Sequence, residues 1–201
     1  MARVELGDLQ VQGIDYAYTL HGWLKGVNSN TLDRSRDIGK DGDLITPLNP
    51  YKYFGGDVFG FSLGYFDGPQ KDYTAISNPS QANHFLAKTS GSDLQTNRKD
   101  LYNGNISYMV TTLPDNNAYT TNQAITASTR GNAYTYDQLN RITSSTSFDN
   151  ISTTNNEWLA SGPPPSAYSS SYTYDAMGNI KTLNNSRSQV YRCPRLLRSF
   201  G

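Results

Sequence analysis

Two stretches of this chain spell the same nine-residue pattern, and that pattern leaves few folds open. Tyr134-Thr135-Tyr136-Asp137-Gln138-Leu139-Asn140-Arg141-Ile142 aligns with Tyr172-Thr173-Tyr174-Asp175-Ala176-Met177-Gly178-Asn179-Ile180. Residues two apart lie on one face of a strand, so each Tyr-x-Tyr pair favours extended chain. The aspartate that follows can accept backbone N–H groups and start a turn. Three residues later stands Gly178 or Asn140, the two residue types best suited to positive φ. Ile180 and Thr182 then resume the alternation on a returning strand. Each copy predicts an antiparallel hairpin, one over Tyr134 to Ser144 and one over Tyr172 to Leu183. Gly178→Val is expected to harm folding, and Asn140→Gly to be close to neutral.

A weaker third copy lies near the start, at Tyr16-Ala17-Tyr18-Thr19-Leu20-His21-Gly22-Trp23-Leu24. It keeps both tyrosines, Gly22 and the closing aliphatic residue, with Thr19 in place of Asp, and predicts a hairpin near 16–25. A remnant, Gly104-Asn105-Ile106, repeats only the second half. Between the clear copies, residues 150–170 form an insert with Asn155, Asn156, Ser161, Gly162 and Pro163-Pro164-Pro165. A triple proline cannot lie inside a central strand, so this is a loop, with Trp158 as its anchor. Phe59 to Tyr65 and Asn105 to Leu113 alternate as strands do, the latter with Ile106, Tyr108 and Val110 on one face. Residues 28–50 and 77–99 read as loops, with a short helix over Gln81 to Lys88. No segment carries a strong 3.6-residue apolar period.

Composition agrees with many strands and turns. Apolar residues make up 36% of the 201 and charged residues only 17%, while there are 15 Tyr and 17 Gly. Tyr and Thr suit a pleated, half-buried surface; Gly and Asn suit tight turns. The formal net charge is zero, which argues against disorder by charge repulsion and against nucleic acid as a partner. Arg187, Arg192, Arg195 and Arg198 read as a solvated tail. No stretch is long and apolar enough for a membrane span, and residues 1–8 do not have the apolar core of a signal peptide.

The three copies resemble the Rhs/YD-repeat family, whose hallmark is Tyr-x-Tyr-Asp, two residues, Gly, then Arg or Asn and an aliphatic residue. Tyr172 to Ile180 matches throughout, and Tyr134 to Ile142 departs only at Asn140. Residues 12–28 and 57–65 look like segments that precede YD repeats in large Rhs proteins of Bacteroidetes type. The resemblance spans residues 3–185 and leaves 186–201 as an atypical, disordered tail. It implies an all-β fold of hairpin repeats in part of a curved, open sheet, one fragment of a shell. In polymorphic toxins such shells hold a C-terminal toxin; in animal teneurins they form part of an adhesion receptor. The implied role is structural and non-catalytic, at the cell surface or secreted. The implied partners are further YD repeats or an enclosed toxin, with glycans as an alternative. The family's self-cleavage aspartates have no counterpart here.

No enzymatic site stands out beside this. His21, His84 and Cys193 are too few and too scattered for zinc, and Cys193 has no partner for an internal disulfide. No nucleophile-elbow motif supports a Ser-His-Asp site. Glu5 and Glu157 do not select a glycosidase pair. Asp37, Asp41 and Asp43, with Gly39 and Gly42, lack the spacing of an EF-hand, and no Glu closes the loop; the ordinary reading is a polar surface turn. No cofactor is expected. Trp23 and Trp158, with Tyr168 and Tyr191, could stack on sugar rings, although aromatic residues are mainly packing residues.

Overall fold

The computed structural model describes residues 2–29, 32, 37–44, 47–66, 72–73, 99–114, 127–148, 151–152, 157–158, 168–186 and 189–192. The described residues contain twelve strands and no helix. They are β1 (Ala2–Leu6), β2 (Gln12–Tyr18), β3 (Leu24–Val27), β4 (Gly60–Gly64), β5 (Tyr108–Pro114) and β6 (Ala127–Tyr136). Then come β7 (Ile142–Phe148), β8 (Ile151–Ser152), β9 (Glu157–Trp158), β10 (Ser170–Tyr174), β11 (Ile180–Asn185) and β12 (Gln189–Arg192). Ten of these form one open sheet in the order β1-β2-β3-β4-β5-β6-β7-β10-β11-β12. Every neighbouring pair is antiparallel. The chain is therefore all-β and built from consecutive hairpins, as its turn chemistry predicts.

All three expected hairpins form, as β2–β3, β6–β7 and β10–β11. In each, the ladder shifts by one residue just before the second tyrosine: between Ala17 and Tyr18, Thr135 and Tyr136, Thr173 and Tyr174. The residue before that tyrosine pairs two positions beyond the closing aliphatic residue, giving Ala17↔Gly26, Thr135↔Ser144 and Thr173↔Thr182. A fourth hairpin obeys the same register. Gly64 pairs with Tyr108, and Tyr108 lies two positions beyond Ile106. The remnant Gly104-Asn105-Ile106 is thus the return of a hairpin whose outgoing strand is β4. In sequence, residues 66–104 replace the four-residue turn of the other copies.

Three sequence expectations change. The insert is not loop throughout, because Ile151 and Ser152 pair with Trp158 and Glu157 in a two-stranded ladder. The stretch 186–201 is not wholly outside the sheet: β12 pairs with β11 from Thr182↔Arg192 to Asn185↔Gln189. Backbone pairing there needs no apolar side chains, which is why the change of texture gave no sign of it. The aspartate loop also differs: Asp37, Asp41 and Asp43 are buried, not on a surface turn. The expected helix over Gln81 to Lys88 lies outside the described residues.

The core sits at the middle of the sheet. Tyr108, Val110, Ala133 and Phe148 form one buried cluster on β5, β6 and β7. Leu63, Tyr65 and Phe66 form a second, with Trp23, Leu24, Phe61, Ile106 and Met109 packed against it. Val110 is fully buried, which contributes on the order of 1.5–3 kcal/mol. Threonine pairs extend the packing sideways: the hydroxyls of Thr112 and Thr129 meet at 3.1 Å in the interior. By contrast, the side chains of β10 and β11 are all half-buried or exposed. The best motif match therefore lies on the thinly covered part of the sheet.

Beyond β3 the chain turns back over β2. Asn28, at φ +55°, donates its backbone N–H to the Asp15 carbonyl at 2.8 Å. Its side-chain oxygen accepts the Asp15 N–H at 2.9 Å, and its amide reaches the Phe59 carbonyl. This clamp lays residues 37–57 against the face of β2 that carries Gly13, Asp15 and Ala17, all buried.

Candidate functional site: the tyrosine-and-turn unit

The turns are built alike. Asp137 donates its N–H to the Arg141 carbonyl and accepts the Asn140 N–H at its own carbonyl, both at 3.0 Å. Asp175 does the same with Asn179 and Gly178, and Thr19 with Trp23 and Gly22. The third residue after each starter has positive φ: Gly22 at 79°, Asn140 at 61°, Gly178 at 89°. Gly104, in the split hairpin, sits at 87°.

The starter side chain completes the turn. Asp137 Oδ1 accepts the N–H groups of Leu139 and Arg141 at 2.9 and 3.0 Å, and Oδ2 accepts Arg141 Nε at 2.6 Å. Asp175 accepts the Met177 and Asn179 N–H groups and the Asn179 side-chain amide. These donors favour the charged carboxylate. The Arg141 backbone N–H leads in lowering the Asp137 pKa, and the Asn179 side chain in lowering that of Asp175. Thr19 makes only the Trp23 N–H bond, at 3.1 Å, since a hydroxyl offers one oxygen where a carboxylate offers two.

The second tyrosine of a hairpin reaches its predecessor. Tyr174 donates its hydroxyl to the Ile142 carbonyl at 2.6 Å, and Tyr136 to the Ile106 carbonyl at 2.8 Å. Tyr65 donates to the Leu24 carbonyl at 2.8 Å. In each case the acceptor is the aliphatic residue that closes the preceding hairpin. Tyr65 thus occupies the place of Tyr136 and Tyr174, which confirms the split hairpin independently of strand register. The spacing Leu63-x-Tyr65 was the available sequence signal, hidden by the distance to Gly104. Arg141 strengthens one junction: its guanidinium lies 4.6 Å from the centre of the Tyr174 ring and reaches the Asp175 carbonyl at 3.3 Å. Asn140 strengthens another, its side-chain oxygen accepting the amides of Asn103 and Asn105 at 2.8 and 3.0 Å.

The first tyrosines, Tyr16, Tyr134 and Tyr172, are strand residues facing Val27, Ser145 and Leu183 across the ladder. Tyr18 is exposed. Trp23 stacks on His21 at 5.0 Å between ring centres and tilts against Tyr65 at 5.0 Å, so it belongs to the packing. The side chain of Trp158 lies outside the described residues. A cleft of about 210 Å³ separates residues 99–105 from the β6–β7 hairpin, beside Tyr134 and Tyr136. That is below the roughly 300–1,000 Å³ of small-molecule pockets.

Two buried ionic groups have little or no signal in the sequence. Lys25 Nζ lies 2.9 Å from both oxygens of Asp72, and Asp72 Oδ2 accepts the Tyr65 N–H at 2.9 Å. Arg3 bridges Asp15 and Asp41 at 2.6 and 2.8 Å. The one signal for the second was a charge, Asp15, on the buried phase of an alternating strand. Compared with protein-family models, curated proteins and solved structures, the chain matches none.

Proposed function

We propose that this chain is a non-catalytic structural module, a segment of an Rhs/YD-type hairpin array. The observation that carries the reading is the tyrosine tie made at three successive junctions, by Tyr65, Tyr136 and Tyr174. A tie that joins each unit to the one before it, and not to itself, suits an array whose stability grows with the number of units. The outer edges of β1 and β12 have no strand partner among the described residues, and such edges invite pairing. Further repeats are the partners this reading favours, with an enclosed toxin or surface effector as the cargo of the assembled shell and secretion or the cell surface as its setting. The rival reading, a glycan-binding module, now rests on Trp158, Tyr168 and Tyr191, since Trp23 is engaged in packing.

Size-exclusion chromatography with light scattering, joined to hydrogen exchange, tests the proposal. The expected result is concentration-dependent association, with strong protection in β2 to β6 and weak protection in β10 and β11. A concentration-independent monomer protected evenly across the sheet would overturn it. Turnover in a hydrolase or nuclease screen, abolished by one point substitution, would overturn the non-catalytic part.

A further inference from the structure

Four aspartates meet where residues 37–57 lie over β2. Asp15, Asp37 and Asp41 each offer one carboxylate oxygen within 4.8 Å of those of the other two. Their exposures are 0%, 3% and 1%. Asp57 is 6% exposed; burial, and after it the neighbouring Asp37 carboxyl, raises its pKa. Five oxygens in this group are buried without a hydrogen bond: Asp15 Oδ1, Asp37 Oδ1, Asp41 Oδ2 and both oxygens of Asp57.

The contacts that do exist leave the pocket overcharged. Arg3 holds Asp15 Oδ2 and Asp41 Oδ1, and Asp37 Oδ2 accepts the Asp41 N–H at 2.8 Å. Four aspartates face one guanidinium, which also pairs with Glu5 at 3.1 Å, so the acidic groups outnumber the cation that faces them among the described residues. Buried carboxylates without partners are costly, so such a group takes up a cation or protons. Arg3 itself is fixed, with its guanidinium 3.9 Å from the Tyr51 ring centre and 4.7 Å from that of Phe54. Gly39 makes room for the Arg3–Asp15 ion pair: a Cβ there would come within 2.1 Å of Asp15 Oδ2 and 2.4 Å of Arg3 Nη1.

We propose that this pocket is a calcium site, with Asp15 Oδ1, Asp37 Oδ1 and Asp41 Oδ2 as ligands and Asp57 completing it. Two oxygens bound to one calcium at roughly 2.4 Å can be as much as about 4.8 Å apart, so the three lie within reach of one ion. Calcium accepts an irregular, all-oxygen cage. Magnesium demands near-ideal octahedral geometry and keeps several waters, which a pocket this buried does not favour. The absence of nitrogen and sulfur from the ligand set disfavours zinc. The ion would pin the covering loop to β2, a structural role that stands whether or not the chain works in a repeat array.

The test is calorimetric titration of the full chain, freed of metal with EDTA at pH 7.5, with calcium chloride and, separately, magnesium chloride. The expected result is one saturable calcium per chain, a higher melting temperature with calcium than with EDTA, and weaker binding of magnesium. Asp37→Asn and Asp57→Asn should each weaken calcium binding by about tenfold or more, since affinity follows ligand charge. Without metal, both variants should melt no lower than the parent chain, because each replaces a buried carboxyl that lacks a counter-charge with a neutral amide; this separates lost binding from lost folding. No heat and no calcium-dependent melting shift would overturn the proposal and leave a pocket held by protons. Calcium binding that both variants leave unchanged would overturn it equally.

Discussion

Tyr174 passes its hydroxyl hydrogen bond to Ile142, 32 residues earlier, and so ties the β10–β11 hairpin to the turn exit of the β6–β7 hairpin. Tyr136 and Tyr65 repeat the contact further back. Tyr65→Phe and Tyr136→Phe, at part-buried bonds, should each cost about 0.5–1.5 kcal/mol. Tyr174→Phe, at an exposed bond, should cost less, and Tyr18→Phe close to nothing. Urea unfolding of the four variants measures this. Equal losses at all four positions would show that the tie carries no energy of its own.

The turn positions separate two causes of the same backbone conformation. Gly178 has φ +89° and open space around it, so Gly178→Val meets backbone strain alone, about 1–3 kcal/mol. Asn140→Gly relieves strain but removes the acceptor of the Asn103 and Asn105 amides. The neutrality expected from sequence therefore becomes a small loss, about 0.5 kcal/mol. Thermal melts that rank Asn140→Gly as costly as Gly178→Val would contradict the turn assignment.

Lys25 and Asp72 are both buried. Asp72→Asn keeps an acceptor for the Tyr65 N–H yet removes the carboxylate that faces the buried ammonium, and should lower stability by about 1 kcal/mol or more. Adding Lys25→Met should restore part of that loss, because the buried ammonium that Asp72 faced is gone. A double-mutant cycle reads the coupling directly; simple additivity would mean that the pair does not interact.

In metal-free protein the aspartate pocket predicts stability that falls as pH rises. Burial pushes the Asp15 carboxyl up from 3.8 to about 6; Arg3 opposes the shift, and Asp37 and Asp41 add to it. Asp41 and Asp57 are raised as well, also by burial first. A raised pKa favours the protonated folded form, so this contribution is full below 3.8 and is lost as pH climbs through about 6. Asp137 and Asp175 have the opposite sign: their lowered values add stability above 3.8 that disappears as pH falls further. Melting temperatures in EDTA should therefore fall between about pH 4 and pH 7, and Asp15→Asn should flatten that slope. A flat profile in the parent chain would refute the assignment. Arg3 remains charged throughout, so the titration belongs to the carboxyls.

Sequence alone determined the hairpins that are local. Asp137 and Asn140, or Asp175 and Gly178, lie three residues apart, and their turn chemistry acts within the turn itself. The Tyr-x-Tyr alternation likewise needs only the two-residue period of a strand. Only tertiary structure decided that β4 returns through Gly104 and Ile106, because 38 residues, 66–103, separate Tyr65 from Gly104, and strand register together with the Tyr65–Leu24 tie rejoins the halves. It also decided the fate of Asp37 and Asp41. Their acidic, glycine-bearing loop reads as a surface turn until the Asn28 clamp folds it over β2. Arg3 and Asp15 then meet them from strands whose own pattern concerns pairing alone. Turn chemistry is written in neighbouring residues; burial and charge balance depend on which distant segments share one face of the sheet.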